Sequence, residues 1–228
     1  MGTRLSLCFG MMSAVLTFAA GSVYADSIDL VTLNTTPLTA APGNAAGPFE
    51  LAFALIQGDP SNPTNTASVS DFLFGGGSAT ACSTPGACTA IGNVSGDATG
   101  SIGLSTSDAF EALIEPFTPG TSLSFLVDLT TNASLIPDTF EFEILDGSSS
   151  PIPTLDPSGA ETLLTAFINS TDPAIATYAS DPTTGTNAGN VFITMDAPMA
   201  TPVPEPGTLT LLGFGLAGAG LARSRWRK

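Results

Sequence analysis

The sequence predicts an all-β fold, an antiparallel β-sandwich of about nine strands with a jelly-roll-like layout. Three observations carry that expectation. Apolar residues alternate with period two along several stretches, segments rich in Gly, Pro, Asn and Asp separate those stretches, and helical spacing is nearly absent. A cleaved N-terminal signal peptide and a single C-terminal transmembrane helix are expected to flank the sandwich.

Taken in order, the first strand is expected over 27–33. In "FELAFALI", Phe49, Leu51, Phe53 and Leu55 fall on one face, as buried strand residues do. Weaker alternation follows at 67–74 and 101–105. The segment "SDAFEALIE" (107–115) suits a short helix capped by Ser107 or Asp108 and stopped by Pro116, and suits a strand equally well. In "SLSFLVDLT", Leu123, Phe125, Val127 and Leu129 oppose Ser124 and Asp128. In "TFEFEIL", Phe140, Phe142 and Ile144 oppose Glu141 and Glu143. Weaker candidates at 163–168 and 175–179 precede "NVFITMD", with Val191, Ile193 and Met195 on one face. The intervening "GDPSNPTN", "GGGSATACSTPGAC", "DGSSSPIPTLDPSG" and "SDPTTGTNAGN" supply turn chemistry.

The opening "MGTRLSLCFGMMSAVLTFAAGSVYADS" has a basic residue, Arg4, then an apolar run, then Val23-Tyr24-Ala25. That is the layout of a secretory signal over 1–25, cut between Ala25 and Asp26. The body then covers 26–200, long enough for a substantial core. With Cys8 in the removed segment, Cys82 and Cys88 remain around a Pro-Gly turn in "ACSTPGACT". Export into an oxidising compartment makes a local disulfide the expected state, stabilising by about 2 kcal/mol for so short a loop. A zinc site is the rival reading, but two cysteines with no His cannot complete its shell.

Charge narrows the function. The chain has 5 Lys+Arg, 20 Asp+Glu and no His. Between Leu5 and Ala222 no basic residue occurs, so the body is a polyanion without an internal cation. Nucleic acid is excluded as a partner, because phosphates are bound by Lys and Arg. Triads built on His and covalent chemistry built on Lys are excluded with it. No catalytic residues and no metal site are assigned. Glu141 and Glu143 are the pair a glycosidase would need to consider, but their alternation with Phe140, Phe142 and Ile144 reads as a solvated strand face. Calcium is a possible cofactor, with oxygen ligands in two loops: Asp59, Asn62 and Asn65, and Asp181, Asn187 and Asn190. Neither loop fits the EF-hand pattern. Exposed aromatics that stack on sugars are scarce, since the body has one Tyr, Tyr178, and no Trp. Asn-x-Ser/Thr triplets begin at Asn34, Asn93, Asn132 and Asn169, as chance allows in a Ser/Thr-rich chain.

The end differs from everything before it. A proline-rich stretch, 201–206, leads into about 15 apolar or small residues and then Arg223, Arg225, Arg227 and Lys228. As a helix the apolar run would reach roughly 22 Å, short of a bilayer core of about 30 Å. It suits a temporary hold in the inner membrane with the basic cluster on the cytoplasmic side. The segment "VPEPGTLTLLGFGLAGAGLARSRWRK" closely resembles the PEP-CTERM sorting signal, with Val203, Pro204, Glu205 and Pro206 matching its motif residue for residue. The resemblance implies an exosortase as partner, cleavage near the motif, and delivery to the cell surface or an extracellular exopolysaccharide matrix. The body is similar to a group of short PEP-CTERM proteins through "GPFELAFAL", "FTPGTSLSFLVDLTTN", "PDTFEFEILD" and "IPTLDPSGAETLLTAFINS". That group carries no assigned activity. The expected role is therefore structural or interactive and not enzymatic. A carbohydrate-binding or calcium-dependent matrix-binding module is the alternative.

Overall fold

The computed structural model describes residues 27–39, 48–61, 64–83, 86–130, 132, 135–169, 173–181, 194–195 and 199–200. In chain order the strands are β1 (Ser27–Asn34), β2 (Phe49–Ile56), β3 (Thr66–Leu73), β4 (Ser78–Ala79), β5 (Thr89–Ile91), β6 (Ser95–Gly96) and β7 (Ile102–Ser105). They continue with β8 (Phe110–Thr118), β9 (Ser122–Leu129), β10 (Asp138–Leu145), β11 (Leu164–Ile168), β12 (Ala174–Thr177), β13 (Thr194–Met195) and β14 (Met199–Ala200). One helical turn, α1 (Thr36–Thr39), follows β1. The strands form two sheets, β13-β1-β9-β3-β7-β6 with β14 also on β1, and β12-β11-β10-β2-β8-β4 with β5 also on β8. Every strand pair among the described residues is antiparallel. The chain is all-β, as its alternation predicts. Beyond the expected nine stand β8, nine residues long, and the short pairings β4, β5, β6 and β14 of two or three residues each.

The two inner faces meet in one core, and alternation decides which residues enter it. β2 sends Leu51, Phe53 and Leu55 inward, β9 sends Phe125 and Leu129, and β10 sends Phe140 and Phe142, all fully buried. Phe53 lies at the junction. Its ring contacts Phe142 in its own sheet at 5.0 Å and Phe125 in the facing sheet at 5.6 Å, edge-on. Such offset and edge contacts are the geometry aromatic quadrupoles prefer.

The segment 107–115, open between helix and strand, is resolved by β8. It runs through Pro116 without ending there. Proline removes only the N–H, and a residue's N–H and C=O point to the same side of a strand. The Pro116 carbonyl accepts the Thr80 N–H at 3.0 Å on the side where β4 pairs with Thr118 and Phe117 and β5 with 112–114. The missing donor therefore falls where one short edge strand gives way to the next. In β3, a register shift between Ser70 and Leu73 accompanies Asp71 at φ 54°. Asp tolerates that left-handed conformation better than most residues. The bulge leaves Asp71 exposed and turns Phe72 towards Phe53 and Phe125.

Cys82 and Cys88 are bonded to each other, with Cα atoms 5.3 Å apart, and both pack against the core. No helix of the described residues is long and apolar enough to cross a membrane. The expected signal peptide, the Ala25–Asp26 cleavage point, the transmembrane helix of the tail, Val191 and Ile193 lie outside the described residues.

Because Phe53 joins the two sheets, Phe53→Ala is expected to cost about 3–5 kcal/mol. Urea unfolding should show this as a lowered midpoint with an unchanged slope. A loss below about 1 kcal/mol would show that the aromatic cluster does not carry the inter-sheet packing.

Candidate functional site

The outward face of β10 does not open freely to solvent. Thr139, Glu141 and Glu143 are each only partly exposed, so the expected solvated face is corrected to a half-covered one. The cover is the connection from β10 to β11. Asp146 turns it first, its backbone N–H donating to the Ser150 carbonyl at 2.8 Å. Ile152, 1% exposed, then pins it to the core. Asp156 makes the second turn, accepting the Ser158 N–H at 2.8 Å, the Ser158 hydroxyl at 2.8 Å and the Thr162 hydroxyl at 2.7 Å. Gly159, at φ 78°, and Glu161, at φ 60°, bring the chain back. The Glu161 carboxylate accepts the Thr154 N–H and closes the loop.

Beneath the second turn is a cavity of about 450 Å³. Its floor is the sheet: Thr139 opposite Phe167, and Glu141 opposite Thr165. Its walls are Asp156, Ser158 and Gly159 from the loop and Tyr178 after β12. Phe167 is 43% exposed, an aromatic surface on an otherwise small and polar face.

The carboxylates here are set apart in acidity. Burial, with Asp156 repelling it, raises Glu141 above the ordinary glutamate range. Burial, with repulsion from Glu141, Glu161 and Asp156, pushes Glu143 up to about 7. Burial works upward on Asp156 too, but the hydrogen bonds from Ser158 and Thr162 outweigh it and hold Asp156 low. Glu141 thus holds its proton more readily than an ordinary glutamate and Asp156 less readily than an ordinary aspartate, beside hydroxyls and two aromatic rings. The arrangement can accept and donate hydrogen bonds to a polyhydroxylated ligand and attracts cations. It repels anions.

Of the residues singled out in the sequence, Glu141 and Tyr178 come together in this cavity. Asp59 turns its own loop by accepting the Ser61 N–H at 2.8 Å. Asn65 is buried, donating to Asp138 at 2.9 Å and accepting from Thr130 and Asn132. Its side-chain oxygen is therefore already engaged by protein. The Asp181 N–H bonds the Pro153 carbonyl at 2.7 Å. Asn62, Asn187, Asn190, Val203, Pro204, Glu205, Pro206, Arg223, Arg225, Arg227 and Lys228 lie outside the described residues. Among the described residues no group of three or more His, Cys, Asp or Glu is placed to hold a metal. Sequence reading missed Asp156, Thr165 and Phe167. Alternation does carry the last two, since Leu164, Ala166 and Ile168 point inward.

Residues 202–228 match the PEP-CTERM protein-sorting motif. No curated protein and no solved structure matches the chain. The motif is the substrate signal of exosortases, so the chain is an exported protein addressed to the cell surface. It is a PEP-CTERM sorting domain-containing protein.

The raised acidity constants fix a direction for pH. Glu143 has a folded value above its unfolded one, so its contribution is fully present below about pH 4.5 and is lost as pH rises through about 7. Glu143→Gln is expected to gain on the order of 1 kcal/mol over the wild type at pH 8, discounted for partial exposure, and nothing at pH 4. Thermal unfolding at both pH values checks this. An equal shift at both would remove ionisation as the cause.

Proposed function

We propose that this chain is a surface or extracellular-matrix protein of an exopolysaccharide-producing bacterium, cut by an exosortase and acting through structure and interaction, not catalysis. The carrying observation is the sorting motif at 202–228. The signal sequence before Asp26 supports export, and the short apolar run supports a transient inner-membrane stage. The body is read as a jelly-roll-like sandwich, supported by β1, β2 and β3 alternating between the two sheets.

A second reading has its own observation. Tyr178 and Phe167 stand beside Glu141, Asp156, Thr139 and Thr165 in one open cavity, the mixture of ring faces and hydrogen-bonding groups that sugars use. The favoured ligand is a neutral or cationic stretch of matrix polysaccharide. Calcium, if it takes part, would bridge carboxylates to the glycan.

Two measurements test these readings separately. The intact mass of the extracellular form should correspond to a chain starting at Asp26 and ending near 204–206. A form retaining Lys228 would end the exosortase reading. Affinity electrophoresis against the host polysaccharide, with and without chelator, should show retardation that Tyr178→Ala and Phe167→Ala weaken by about three- to tenfold. If no glycan retards the protein, carbohydrate binding fails while the sorting assignment stands.

A further inference from the structure

β8 carries two acids on its inward face. Glu111 and Glu115 are both 0% exposed, in register with Leu55 and Leu51 of β2. Glu111 is fully used, accepting the Ser105 N–H at 2.6 Å and the Ser107 hydroxyl at 3.2 Å. Glu115 is not. Its Oε2 accepts the Ala98 N–H at 2.8 Å, while its Oε1 is buried without a hydrogen-bond partner.

The single bond of Glu115 joins the two sheets. Glu115 belongs to the β8 sheet. Ala98, 2% exposed, belongs to the tight turn between β6 and β7 in the other sheet. That turn closes with the Gly100 N–H on the Asp97 carbonyl at 3.1 Å. It is entered through Gly96, at φ 77°, where a Cβ would lie 1.8 Å from the Ser101 carbonyl oxygen. Asp97 also accepts the Cys82 N–H at 3.0 Å, so the same turn holds the disulfide-bearing segment. The turn is therefore tied to β8 through Glu115 and to the disulfide-bearing segment through Asp97.

We propose that Glu115 is a proton-dependent latch: protonated, it clips the β6–β7 turn to β8, and ionised, it releases it. Burying a carboxylate with one oxygen unpaired costs several kcal/mol, and no cation exists in the body to offset it. The groups around it are unhelpful to ionisation. β2 presents Leu51, the neighbours on its own strand face are Leu113 and Phe117, and the two cysteines are bonded to each other. Asp97, held ionised by Thr99 and Cys82, adds repulsion from the turn. Burial foremost, then that repulsion, places the Glu115 proton loss at about 7 despite the bond from Ala98. The folded value exceeds the unfolded one, so the clip is strongest below about pH 4.5 and lost as pH rises through about 7. An exported protein meets such pH values without the cytoplasm's buffering.

The test is amide hydrogen exchange on the full chain, corrected for the intrinsic pH dependence of exchange, from pH 5 to pH 8.5. Protection of Ala98 and of Gly100, the amides that hold the β6–β7 turn, should fall by at least about tenfold in the wild type. It should stay level in Glu115→Gln, which keeps the acceptor and cannot ionise. Equal pH dependence in both proteins, or none in the wild type, overturns the latch. Should the variant fail to fold, the carboxyl carbon shift of Glu115 in the wild type decides. A midpoint near 7 upholds the proposal, and one near the ordinary glutamate value rejects it.

Discussion

Between Leu5 and Ala222 there is no positive side chain, and the fold is shaped around that fact. Ion pairing cannot neutralise a carboxylate here, so acids that approach the interior rely on N–H and O–H donors or on keeping a proton. Asp138, fully buried, is held by the Gly58 N–H at 2.8 Å and the Asn65 amide at 2.9 Å. Glu161 takes the Thr154 N–H, Asp97 takes those of Cys82 and Thr99, and Asp156 takes that of Ser158. Backbone donors are fixed to the strands and turns that own them. Asp138 and Glu115 thereby staple segments far apart in sequence, 80 residues for Asp138 and Gly58 and 17 for Glu115 and Ala98, while Asp156 and Glu161 close local turns.

The strong strands were readable because both faces of a strand speak in alternation. β2, β9 and β10 place Phe53, Phe125 and Phe142 where period two puts them. The outcome departs from simple parity where geometry intervenes. At Asp71 an unbroken alternation from Ala67 and Val69 would have buried the carboxylate and exposed Phe72, and the bulge reverses both. In "AFEALIE" two glutamates share the face of Leu113 and Phe117, which makes the pattern look helical or mixed. What rescues the strand is a set of donors, Ser105, Ser107 and Ala98, supplied by other segments and invisible in the local sequence.

The cavity shows the same limit. Glu141 and Glu143 were legible as outward residues of β10, but their burial comes from a connection whose path depends on Ile152 reaching the core and on Asp156 turning over the sheet. Phe167 of β11 and Tyr178, just past the end of β12, meet Asp156 only because β10, β11 and β12 form a meander. The sorting motif is the opposite case. It is a linear address, legible in full from residues 202–228 and independent of the body's fold.

The pairing of β14 with β1 has a mechanical consequence. Asp29 lies beside Ala200 and Leu30 beside Met199, running in opposite directions. The described fold therefore begins and closes at the same end of one neighbouring strand pair. A domain strung between its ends would carry tension through its whole interior. Here both ends of the described fold lie at one corner, so a pull on either end loads β1 and its immediate neighbours first. The cavity on the opposite sheet is spared.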